Sequence, residues 1–146
     1  MKKFFGFVVV CLLAFWLVGC YSPKDDDVNL GVDIMNLEIG NYTFEVDLET
    51  NSTVAALLER LPLTVEMQEL HGNEKYYYLD TGLPSHAGRV GQIKAGEIML
   101  WGNDCLVIFY QSFSTPYTYT RIGQIKDTTN LLKAVGSGNI QVKWNV

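Results

Sequence analysis

Two segments of this 146-residue chain, one in its first third and one at its C-terminus, alternate apolar and polar side chains with a period of two. Tyr42, Phe44, Val46 and Leu48 are separated by Thr43, Glu45 and Asp47, and Ile140, Val142, Trp144 and Val146 by Gln141, Lys143 and Asn145. A β-strand puts every second side chain on the same face, so each segment predicts a strand with one buried face. Gly40-Asn41 supplies a turn, which makes Val32–Ile39 and Tyr42–Leu48 a hairpin. A chain that begins and ends its globular part in this way must find partners for both half-buried strands.

Further strands are expected between these two. Leu63, Val65 and Met67 open one, and Lys75–Leu79 forms another. Glu97–Trp101 leads through Gly102-Asn103 into Cys105–Tyr110 as a second hairpin. Tyr117–Ile125 is a further strand. The period changes twice. Val54, Leu57, Leu58 and Leu61 follow i, i+3, i+4, i+7, one stripe of a helix over Asn51–Leu61. Asn51 or Ser52 caps it, and Pro62 stops it. A shorter helix is expected over Asp127–Val135, capped by Asp127, with Leu131, Leu132 and Val135 inward and Gly136 at the left-handed exit. About eight short strands and two helices predict a mainly β fold, a closed β-barrel with helices over its ends.

The first 19 residues belong to a different physical regime. Lys2 and Lys3 precede the uncharged run Phe4–Val18, which is about 15 residues and short of the roughly 20 that cross a bilayer core. Leu17-Val18-Gly19-Cys20 closes the run and resembles a bacterial lipobox, in which the Cys thiol receives a lipid and becomes the new N-terminus. Residues 1–19 are therefore read as a lipoprotein signal peptide, Cys20 as the lipid attachment site, and residues 20–31 as a tether. The alternative is an ordinary cleaved signal with an incidental Cys. Asp25-Asp26-Asp27 reads equally as a solvated linker or as the surface-export signal of some lipoproteins.

Charge and cysteine content then exclude several functions. The formal net charge is −5, and removal of residues 1–19 takes Lys2 and Lys3 with it, leaving 127 residues at −7. Phosphate binding needs clustered Lys and Arg, so nucleic acid is not an expected partner. Three Cys and two His cannot build a Cys/His zinc framework. No metal and no cofactor are expected. With Cys11 in the leader and Cys20 lipidated, Cys105 is the one thiol left, and its run DCLVIFY predicts an inert core position.

The ordered series of elements carries a resemblance. A strand hairpin is followed by a helix ending in Leu61-Pro62-Leu63. Glu74-Lys75-Tyr76, Gly96-Glu97-Ile98-Met99-Leu100, Phe109-Tyr110, Thr115 and Tyr119-Thr120-Arg121-Ile122-Gly123 come next. Over about residues 33–146 this resembles the bacterial cyclophilin-like domain family. The resemblance implies a closed eight-stranded cyclophilin-like β-barrel with two capping α-helices, spanning residues 32–146.

Cyclophilins are peptidyl-prolyl isomerases, and the resemblance implies where their pocket residues would fall. An Arg polarises the prolyl amide, a Gln orients the peptide, and aromatic rings, a Trp and a His complete the site. Leu106–Tyr110 lies at the position of the Gln-bearing stretch and has no Gln, although Gln111 follows. The loop Ser114–Thr120 holds Tyr117 and Tyr119 in place of a Trp. His86 precedes the central hairpin where the family's His follows it. Arg89, in His86-Ala87-Gly88-Arg89, is the one counterpart for the Arg. The fold is thus expected to be kept and the isomerase set largely lost, so no catalytic residue is assigned.

The remaining candidates form a ligand groove: Arg89, Tyr110, Phe113, Tyr117 and Arg121. Tyr offers an apolar body with a polar tip, while each of these residues also has an ordinary structural reading as core or solvated surface. Tyr76, Tyr77 and Tyr78 alternate across their strand. The expected function is a non-catalytic peptide- or ligand-binding accessory module of the bacterial cell envelope. It would be held by its lipid at the outer membrane or cell surface, with the membrane and a peptide or envelope protein as partners. The alternatives are a diverged peptidyl-prolyl isomerase using Arg89 and the Phe109–Tyr119 aromatics, and a small-molecule or sugar-binding protein.

Overall fold

A computed structural model describes residues 28–146. The leader over residues 1–19, Cys20 and the tether as far as residue 27 lie outside the described residues. Leu30, at the end of the segment read as tether, is half-buried against the core.

Both alternating segments are strands, and they lie side by side. Strands β1 (Ile34–Ile39) and β2 (Tyr42–Leu48) form the expected hairpin, turning at Gly40 with φ +58°. The C-terminal strand β11 (Ile140–Asn145) pairs with β1, Leu37 opposite Trp144. From β11 the sheet continues through β3 (Leu63–Leu70), β4 (Glu74–Tyr78), β8 (Cys105–Phe109), β7 (Glu97–Trp101) and β10 (Thr118–Ile125). β10 then pairs with β2 and closes the ring. The eight strands make an antiparallel barrel, as expected. Short strands β5 (Gly88–Arg89), β6 (Gln92–Ile93) and β9 (Phe113–Ser114) lie outside the ring. β5 extends the sheet beside β10, and β6 pairs with β9.

Closure depends on a missing side chain. Gly123 of β10 faces Leu48 of β2, and the two backbones approach so closely that a Cβ there would collide with Asp47 and Val46. The register of β10 against β7 also shifts between Arg121 and Gly123. A bulge of this kind bends a strand at a barrel rim.

The inner core is filled by the alternating faces that the sequence displays, including Leu37, Phe44, Val46, Val142 and Trp144. Helix α1 (Ser52–Leu58) adds Val54 and Leu57. Asn51 caps it, accepting from Val54 N at 2.9 Å. The helix ends three residues earlier than expected. Arg60 N and Leu61 N bond back to Leu57 O and Leu58 O at 2.9 and 3.2 Å, a tighter turn that brings the chain to Pro62.

Helix α2 (Leu131–Val135) is shorter than expected at its start. Asp127 Oδ1 accepts from Thr129 N and Oγ1 at 2.9 and 2.6 Å, making a local turn ahead of the helix, and Asn130 occupies the cap position. Leu131 and Val135 are buried one turn apart, but Leu132 is 57% exposed, so the inward assignment of Leu132 is corrected. One residue along a helix is a rotation of about 100°, which takes Leu132 off a stripe this narrow.

β8 explains the uninterrupted apolar run. Leu106 and Ile108 point into the barrel, whereas Cys105, Val107 and Phe109 belong to a separate cluster with Ile93, Met99 and Tyr119. A strand buried on both faces has no polar alternation. Part of the barrel's outer surface is therefore covered by a second layer, from β6 and β9, and that layer borders the site.

Candidate functional site

Side chains from β4 that miss the interior begin the site. Tyr77 packs on the inner core, so its neighbours Tyr76 and Tyr78 project from the outer face. The register sets Tyr76 opposite Val107 and Tyr78 opposite Cys105, and Trp101 pairs with Cys105 across the β7–β8 hairpin. Tyr117, just before β10, and Tyr119, within it, bring two more rings. Together with Leu70, His71 and Glu74 from the β3–β4 turn, these residues line a cleft of about 340 Å³. That is near the lower end of the roughly 300–1,000 Å³ typical of small-ligand sites.

The rings meet at steep angles. Trp101 lies 5.2 Å from Tyr117 at 79° and 5.3 Å from Tyr119 at 55°. Tyr76 and Tyr78 are 5.8 Å apart at 77°. Tyr78, Trp101 and Tyr117 are 55%, 37% and 57% exposed, although packing usually hides rings of this size. Behind the wall, Tyr119 meets Phe109 edge-on at 5.5 Å, and Phe109 meets Phe113 at 5.7 Å. The second layer thereby packs against the floor.

Three groups in the cleft, Glu74, Cys105 and Tyr119, hold their protons more tightly than usual. Burial raises Glu74 above the ordinary carboxyl value; His71 opposes the rise and Glu69 adds to it. Cys105 is pushed up to about 11, by burial first and then by Asp104 and Glu74. Tyr119 is pushed up to about 12, again by burial first and then by Glu74. A thiol that stays protonated is a poor nucleophile, which fits the inert reading of Cys105. This thiol is buried on the barrel's outer face and has no disulfide partner among the described residues.

Of the five groove candidates, Tyr117 lines this cleft. Phe113, half-buried in β9, supports it from behind through Phe109. Tyr110 belongs to the inner core, where its hydroxyl donates to Glu69 and its ring lies 5.3 Å from Lys75 Nζ. Arg121 pairs with Glu97 at 2.5 Å. Arg89 is exposed on β5, paired in register with Thr118, and is not among the cleft's lining residues. His86 also lies elsewhere, its Nε2 2.8 Å from Ser52 Oγ on an exposed surface. No group of described residues has the composition of a metal site.

Tyr76, Tyr78, Trp101, Tyr119, His71 and Glu74 were absent from the sequence-based groove. The alternation of Tyr76 and Tyr78 signalled their shared face. For Trp101 and Glu74 the signal was only their place beside a turn.

The model of the cyclophilin-like family matches residues 37–145. No curated protein matches the chain. Among solved structures, the solution structure of the hypothetical protein AF2241 from Archaeoglobus fulgidus is similar at 16% identity. The match covers 77% of this chain and 92% of that one, with a TM-score of 0.48.

Proposed function

The chain belongs to the cyclophilin-like family, and we propose that it is a lipid-anchored binding module of the bacterial cell envelope, without isomerase activity, whose outer cleft receives a segment of a partner peptide. The observation that carries this reading is the lining itself. Five aromatic rings surround the cleft, and its described lining contains no Arg, Lys, Gln or Asn. Rings of this kind supply contact area at low entropic cost. Isomerisation needs more, because amide rotation has a barrier of about 18–20 kcal/mol and catalysis requires a donor aimed at the prolyl nitrogen.

The anchor rests on Leu17-Val18-Gly19-Cys20. Each acyl methylene contributes about 0.8 kcal/mol to membrane attachment, so several chains hold the protein firmly. Cys20→Ala should shift the protein from the membrane to the soluble fraction, and unchanged partition would refute lipidation.

The catalytic question is decided with a proline-containing model peptide. No acceleration of cis/trans exchange is expected from the full chain. Acceleration would favour the second reading, a diverged isomerase, whose support is that β5 pairs Gly88 with Tyr119 and so brings the Arg89 backbone beside the strand that carries this cleft residue. Under that reading Arg89→Ala abolishes the activity.

A further inference from the structure

We propose that the cleft is a cage for a cation and takes the ammonium or guanidinium end of a Lys or Arg side chain from a partner peptide. This rests on the reading of the cleft as the peptide-binding site and names the chemistry it selects. Three observations converge. First, the rings form walls. Trp101 meets Tyr117 edge-on at 79° and Tyr119 at 55°, and with Tyr76 and Tyr78 these rings border a volume of about 340 Å³. A cation over such faces is attracted by the ring quadrupoles, most strongly when it leaves water.

Second, the cleft holds a carboxyl group without a salt bridge. Glu74 is half-buried in the lining and forms no ion pair among the described residues, whereas Glu69 is matched by Lys75 and Glu97 by Arg121. A half-buried charge is costly unless it is paired. His71 on the same turn is the one nearby group that favours its charged form, and it too lines the cleft.

Third, acidic groups lie close to the floor. Glu69 acts on Glu74, Glu74 and Asp104 on Cys105, and Glu74 on Tyr119, each making loss of a proton harder. The chain as a whole carries −5. An apolar proline ring would gain the ring contacts but nothing from these carboxyl groups.

The full chain, in a maltoside detergent that has no cationic headgroup, is titrated with N-acetyl-lysine methylamide, its uncharged norleucine analogue and the proline analogue. Binding is followed by calorimetry. The lysine compound should bind about tenfold more tightly than either of the others. Glu74→Gln should cut that preference to less than threefold, and Trp101→Leu should do the same while thermal unfolding shows the fold intact. Equal affinity for all three probes, or a preference that survives both substitutions, would overturn the cage and leave the peptide cleft standing. Binding of none would overturn both. Methylammonium binding as tightly as the lysine compound would overturn the assignment to a peptide side chain.

Discussion

A Cβ placed on Gly123 would stand 2.5 Å from the carbonyl oxygen of Asp47, inside van der Waals contact across the seam between β10 and β2. This seam turns a sheet into a barrel. Gly123→Ala should destabilise the fold by about 1–3 kcal/mol, the usual cost of forcing atoms into a packed site. Urea unfolding measures it. A change below about 0.5 kcal/mol, within the range of ordinary surface substitutions, would show that the seam has slack.

Lys75 is fully buried, and its charge is answered on several sides. Nζ donates to Gly138 O at 2.5 Å and Gly136 O at 3.3 Å, and lies 3.5 Å from Glu69 Oε2. The cluster ties β3 and β4 to the segment after α2. Removing Lys75 strands the partly exposed Glu69 carboxylate and two backbone carbonyls, so Lys75→Met should cost about 1–3 kcal/mol. The double variant Lys75→Met, Glu69→Leu should recover part of that loss in chemical denaturation. If it lost as much as the two single variants combined, the pair would not be coupled.

Asn51 has two attachments. Its Oδ1 caps α1, and its Nδ2 donates to Arg121 O at 2.9 Å, fixing the helix to β10. Asn51→Ala should cost about 1–2 kcal/mol, at the upper end for a cap. Asp127→Ala, at a turn outside α2, should lower the thermal midpoint by less. The reverse order would mean that the turn before α2 carries more of the fold than its exposure suggests.

Alkaline pH should weaken the protein through three groups. Cys105 rises from an ordinary 9.0 to about 11, and Tyr110 and Tyr119 from 10.0 to about 12. The folded state holds these protons more tightly than the unfolded chain. Their contribution to stability is complete below pH 9 and declines as the pH rises toward 12, because the unfolded chain ionises first. Denaturation midpoints measured from pH 8 to 11 should fall, and Tyr119→Phe should flatten part of the fall. A flat profile would show that burial does not hold these protons.

The same physics makes Cys105 slow to alkylate. In a Cys11→Ser, Cys20→Ser background, native protein at pH 8 should react with iodoacetamide far more slowly than protein in urea. Equal rates would place the thiol in solvent.

How legible the site was depended on how it is assembled. Tyr76 and Tyr78 share a face because alternation is a property of any strand, and that much is readable from KYYYL. Which face was core could not be read, since all three residues are Tyr. Tyr110 and Phe113 looked like groove residues because they lie close to Tyr117 in sequence. The barrel instead turns Tyr110 inward to Glu69 and places Phe113 behind Phe109. Leu132 failed for a related reason: two adjacent Leu suggest a broad stripe, and this five-residue helix buries a narrow one.

The mainly β class, the main strands, the two helices and the barrel were legible in the order of the residues. Local spacing carries most of this, with period two for the half-buried strands, an apolar run between turn residues for β8, 3.6 for the helices, and Gly or Pro where the chain must turn. Tertiary structure alone decided the site. The cleft joins Glu74 and Tyr78 of β4, Trp101 of β7 and Tyr119 of β10, which become neighbours only once β4, β8, β7 and β10 lie side by side in that order. Local spacing carries no information about that order, because it is set by which half-buried faces can close around one common core. It also could not show that a second layer would cover one side of the outer surface and leave Trp101 and Tyr117 standing at its edge.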